Sequence, residues 1–126
     1  MSKRILETPS APAAIGPYSV AVEAQGLVFL SGQVGLDPVT GDRVADDIQT
    51  QTQRVLDNIG LILGDLGLSH ADIVKTTIFL ADMADYATVN EIYSGYFAGE
   101  PPARSAIQAG ALPGGFLIEI EIVASR

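Results

Sequence analysis

Apolar and polar positions alternate or recur in a way that divides the chain into eight short elements. Lys3 to Glu7, Tyr18 to Ala24 and Leu27 to Gln33 read as three strands. Gln25-Gly26 sits between the second and third, the length and chemistry of a tight hairpin. From about Asp46 to Leu66 the period changes. Ile48, Val55, Ile59, Ile62 and Leu66 recur at helical spacing, Asp46 and Asp47 stand at the positive end, and Gly67 follows as a stop. Ile73 to Leu80 predicts a strand rich in β-branched residues. Tyr86 to Phe97 predicts a second helix with Val89, Ile92, Tyr93 and Phe97 as its stripe. After Pro101-Pro102, Arg104 to Ala109 reads as a short strand and Leu117 to Ala124 as the final one. The predicted order is β-β-β-α-β-α-β-β, an α+β domain in which two helices cover one face of a mixed sheet.

The final strand sharpens this picture. In Ile118-Glu119-Ile120-Glu121-Ile122 the isoleucines share one side and the glutamates the other. The isoleucines are expected under the helices. The glutamates then face solvent, a subunit interface or a cleft between subunits.

Length and composition limit the chemistry. The 126 residues suit one domain, taken here as 1–126. Cysteine is absent, which excludes disulfides, thiolate metal sites and a cysteine nucleophile. The N-terminus, Met1 to Arg4, is basic, but no apolar run of signal or membrane-span length follows, so a cytoplasmic protein is expected. The net charge is -8, and the seven basic residues are scattered without a stripe. Nucleic-acid binding and anionic membranes are therefore disfavoured as partners. High apolar content with sparse charge points to surface lost in an oligomer.

Individual residues leave alternatives open. One histidine, His70, in the Leu68 to Asp72 turn, argues against a triad or a histidine metal site, and an exposed turn residue is expected. No metal site is assigned. Arg104, stiffened by Pro101-Pro102-Ala103, is either a two-pronged carboxylate clamp or a surface or interface arginine. Glu119 is either a general base for a water or a solvated strand glutamate, and Glu121 shares its parity. Tyr18 is a ligand hydrogen-bond donor or an aromatic core or interface residue. Gly32, in Ser31-Gly32-Gln33, permits close ligand approach or a bulge. Asn90 reads as a surface or interface polar residue.

Together these segments resemble the reactive intermediate deaminase family, RidA or YjgF-like proteins. Pro102-Ala103-Arg104-Ser105, Gly110-Ala111-Leu112 and Ile118-Glu119-Ile120-Glu121 are similar to its signature. Ala14 to Ser19, Phe29 to Gln33, Asp37 to Gly41 and Val89 to Tyr93 with Tyr96-Phe97 resemble its other segments in order. The resemblance implies a chorismate-mutase-like fold in a homotrimeric barrel, with clefts between subunits. It implies hydrolysis of enamines and imines such as 2-aminoacrylate to 2-keto acids and ammonia, on a small imino-acid substrate and without a cofactor. Arg104 and Glu119 then carry catalysis, with Tyr18, Ser31, Gly32, Asn90, Arg104 and Ala106 binding substrate. The chain departs from the family in Ala106, where many members have cysteine, and near Gly35, where many have proline. The same fold also serves as a non-enzymatic binding or chaperone-like module, and a ribonuclease or translation-inhibitor role is attached to the family.

Overall fold

The computed structural model describes residues 2–126, so Met1 of the basic N-terminus lies outside it. Six strands form one sheet: β1 (Arg4–Leu6), β2 (Ala21–Ala24), β3 (Leu27–Gln33), β4 (Ile73–Leu80), β5 (Ala103–Gln108) and β6 (Ile118–Ser125). Two helices, α1 (Ile48–Asp65) and α2 (Tyr86–Ser94), complete the fold. The sheet order is β1-β2-β3-β6-β4-β5, with β4 and β5 parallel and every other pair antiparallel. The parallel pair needs a long crossover, which α2 supplies.

Local chemistry explains the boundaries. Gln25 and Gly26 both take positive φ, 56° and 77°, the backbone a two-residue hairpin requires. Asp47 caps α1: its Oδ1 accepts the Thr50 N–H at 2.7 Å and its Oδ2 the Thr50 hydroxyl at 2.9 Å. Gly67, at φ 74°, ends the helix in the left-handed region.

Both helices lie on the isoleucine face. Ile118, Ile120 and Ile122 are buried with Val28, Leu30, Ile78 and Leu80 against Val55, Ile59 and Ile62 of α1 and Val89 and Tyr93 of α2. Each such side chain contributes about 1.5–3 kcal/mol on burial. The opposite face carries no helix. There Phe29 is 43% and Ile107 50% exposed.

The expected α+β order holds, with the largest shifts at two ends. The second strand begins at Ala21 rather than Tyr18, because Val20 and Ser19 carbonyls are taken by the Ser31 N–H and hydroxyl in an irregular approach. The second helix ends at Ser94 rather than Phe97, where Gly95 and Tyr96 close tight turns on Ile92 and Tyr93. His70 is not the exposed turn residue expected. Its ring is half-buried over Gly60, with Nε2 2.9 Å from the Leu56 carbonyl and the rings of Tyr96 and Phe97 5.4 and 5.8 Å away. A glycine in α1 makes the room the sequence pattern could not show. Among the described residues no helix is long and apolar enough to cross a membrane.

Candidate active site

The uncovered face of the sheet holds a cavity of about 530 Å³, open to solvent, with largely apolar walls. Tyr18, Ser31, Gly32 and Glu119 line it together with Leu36 and Phe116. A bulge in β3 shapes its floor. Leu30 pairs with Ile122 and Gln33 with Ile120, so Ser31-Gly32 together oppose a single residue of β6. Gly32 is required there. A Cβ on it would lie 1.9 Å from Glu119 Oε2, so the carboxylate folds over the glycine backbone. The Ser31 hydroxyl donates to the Ser19 carbonyl at 2.7 Å, which fixes the segment carrying Tyr18.

Glu119 is half-buried in this apolar setting. Burial raises its pKa above the ordinary carboxylate value, and the Glu121 charge on the same face adds to the rise. A carboxylate shifted this way is a better proton acceptor than a free glutamate.

The walls are held from behind by groups that periodicity did not single out. Gln51 Oε1 accepts the Leu117 N–H at 2.9 Å, and Asn58 Nδ2 donates to the Leu36 carbonyl at 2.8 Å. Both amides are fully buried on α1. Their signal was present: they interrupt the apolar stripe that Val55, Ile59 and Ile62 define. Arg43 donates to the Gly114 and Gly115 carbonyls and lies 4.1 Å over the Phe116 ring. No pattern in the sequence marks it.

Arg104 stands elsewhere. It lies on β5, the sheet's edge strand, in register with Thr76, which in turn pairs with Ile122. Glu119 pairs with Phe79, three residues from Thr76, and so points from the other face. Arg104 Nη2 donates to the Tyr86 hydroxyl at 2.9 Å, and its guanidinium lies 5.0 Å from the Tyr93 ring centre and 5.5 Å from that of Tyr86. Asn90 is on the same helix, between those tyrosines, and its buried Oδ1 has no hydrogen-bond partner among the described residues. Ala106 is half-buried against the core on Arg104's side of β5. One chain therefore gathers Tyr18, Ser31, Gly32 and Glu119 at one place, and Arg104, Asn90 and Ala106 at another. Among the described residues no group of three or more histidine or acidic side chains is arranged to hold a metal ion.

The family described as Endoribonuclease L-PSP matches residues 8–126. The chain belongs to that family. Among Endoribonuclease L-PSP relatives, Reactive Intermediate Deaminase A, chloroplastic, of Arabidopsis thaliana is 51% identical over 125 residues, covering 99% of this chain and 67% of that one. The mouse 2-iminobutanoate/2-iminopropanoate deaminase is 48% identical over 122 residues, 97% of this chain and 90% of that one. The crystal structure of E. coli TdcF with bound serine superposes with a TM-score of 0.91 at 42% identity, covering 98% of each chain. The reactive intermediate deaminase resemblance is thus a shared fold and sequence over nearly the full length.

Proposed function

We propose that this protein is a cytoplasmic, single-domain hydrolase of 2-imino acids that releases a 2-keto acid and ammonia, and that it works as a homotrimer with sites between copies. The observation that carries this reading is Glu119, a carboxylate of raised pKa folded over Gly32 in an apolar cavity. It accepts a proton from a water as the water oxygen attacks the C=N carbon. The proton taken up by Glu119 goes to the imine nitrogen, giving a carbinolamine; its hydroxyl proton is then removed as the C=O bond forms and delivered to the nitrogen as the C–N bond breaks and ammonia leaves. The imine is already electrophilic, so the reaction draws on no cofactor.

The imino acid's carboxylate needs a cation, and among the described residues Arg43 beside the cavity is committed to Asp46 and the 114–115 carbonyls. Arg104 of a neighbouring copy fills that role. It stands at an exposed sheet edge, and the edge and the cavity face are different patches. Contact between unlike patches is heterologous, and a closing heterologous contact gives a ring. The exposed Phe29 and Ile107 supply apolar area for it. Tyr18, Ser31, the Gly32 backbone, Asn90 and the Ala106 backbone complete the cleft in this reading. The names of the Arabidopsis and mouse relatives, and the serine in TdcF, support a small carboxylate-bearing substrate.

The ribonuclease in the family's description fits this chain less well. Its net charge is -8, and its seven basic residues are scattered along the sequence without a stripe. Coupling a threonine dehydratase to the protein tests the proposal. Keto acid should appear faster than by spontaneous hydrolysis. Arg104→Ala should remove about 10²-fold or more of the acceleration, two charge-assisted hydrogen bonds being lost. No acceleration with several amino-acid-derived imines would refute it, and RNA cleavage surviving Arg104→Ala would favour the nuclease.

A further inference from the structure

We propose that Tyr86, backed by Tyr93 and Thr76, is a positioning residue that holds the Arg104 guanidinium ready as a carboxylate clamp before substrate arrives. The inference rests on the reading of Arg104 as that clamp.

Arginine is a long, rotamer-rich side chain, and β5 is an edge strand with little packed beyond it. Left alone, Arg104 would lose that freedom on binding. Three contacts take the loss beforehand. Thr76 Oγ1 and the Tyr93 hydroxyl are 2.8 Å apart in the buried layer, which fixes the Tyr93 ring. That ring lies under the guanidinium at 5.0 Å, a cation–π contact that sets its plane. The Tyr86 hydroxyl, 2.9 Å from Nη2, then sets its rotation within the plane.

Donor arithmetic shows that this hold does not disable the clamp. The guanidinium has five N–H groups. Tyr86 takes one of the two on Nη2. If it takes the hydrogen on the Nε side, the Nη1/Nη2 edge stays whole. If it takes the other, the Nε/Nη2 edge stays whole. Either way one two-pronged edge remains for a carboxylate. Tyr86 is a neutral hydroxyl, so it orients the cation without neutralising it, as an aspartate there would. Tyr86 is also 37% exposed, at the first turn of α2, where a buried core role is not at issue.

Tyr86→Phe tests this, since it keeps the ring and removes only the hydroxyl. Affinity for 2-oxobutanoate, measured by calorimetry, should weaken between about threefold and tenfold, the effect of ordering one rotamer-rich side chain on binding. KM for the imine should rise by the same factor while kcat holds within about twofold, because the lost contact acts on substrate capture in ground and transition state alike. Unchanged 2-oxobutanoate affinity, or a fall in kcat with KM held, would overturn the positioning role. If the unaltered protein binds 2-oxobutanoate but turns over no imine, the hydrolase reading fails while the Tyr86→Phe affinity still decides this one. If it does not bind 2-oxobutanoate, the clamp itself is wrong and the inference falls with it.

Discussion

The two faces of the sheet are built from the same strands and do opposite work. On β6, Ile118, Ile120 and Ile122 are buried under two helices, while Glu119 and Glu121, one residue away, look out from the bare side. The helix-covered face is largely apolar, with a few buried polar groups such as Gln51, Asn58 and Thr76, and contributes stability. The bare face mixes Phe29, Ile107 and Phe79 with the two glutamates, a combination that makes a poor core and a poor solvent surface. Large apolar groups left exposed beside a half-buried acid signal a surface that is completed by something else. The lesson is that the two sides of β6 divide the core from the Glu119 cavity, while Arg104 stands apart on the helix-layer side of the edge strand β5.

The sharpest way to break that division is at Glu119. Glu119→Gln should lower kcat/KM by about 10² to 10⁴, the usual contribution of a general base. It should not unfold the protein. A carboxyl whose folded-state pKa is raised contributes stability below its unfolded pKa and loses that contribution as pH rises through the folded value. At neutral pH the ionised group therefore opposes folding, and the melting temperature of Glu119→Gln should be unchanged or higher. A lower one would place Glu119 among the structural residues. Gly32→Ala should give the same loss of activity, because its methyl displaces the carboxylate.

Ile120→Ala, one residue along, should show the reverse. Its side chain is fully buried, so denaturant unfolding should report a loss of about 2–5 kcal/mol. The folded fraction should keep its kcat. A loss of turnover without a loss of stability would mean the two faces are not separate.

The smallest effect concerns Glu121. Its charge raises the Glu119 pKa, after the larger effect of burial. Glu121→Gln should therefore move the acid limb of the kcat/KM profile to lower pH, with little change on the plateau. A shift to higher pH would assign the acid limb to another group.

Much of this was legible in the sequence because the helix-covered face obeys simple rules. The parity of β6, the Gln25-Gly26 hairpin and the α1 stripe each place residues unambiguously relative to one core. The bare face obeys different rules, and there the pattern misleads. In β5, Ile107 faces out and Arg104 faces the helix layer, the inverse of what a solvated strand would show. Nothing local says so, because the side of β5 is set by its pairing with β4, where Ala103 stands against Lys75 and Ser105 against Thr77, 28 residues earlier. For the same reason the sequence could name Arg104 and Glu119 but not reveal that one chain holds them apart. Arg43 and Tyr86 escaped notice because their roles depend on partners distant in the chain, Gly114 and Arg104. His70 was misplaced because the space over Gly60 exists only once α1 is packed.

The separation of Arg104 and Glu119 is also what makes the central claim directly testable. Arg104→Ala and Glu119→Gln chains, each expected to be inactive alone, can be co-expressed and co-purified at equal amounts. If each site takes its arginine from one copy and its glutamate from another, random mixing in a ring restores about one quarter of the sites, and activity should return to about one quarter of the unaltered protein's. If both residues serve a site within one chain, no mixed assembly holds an intact site, and the mixture would stay as inactive as its parts.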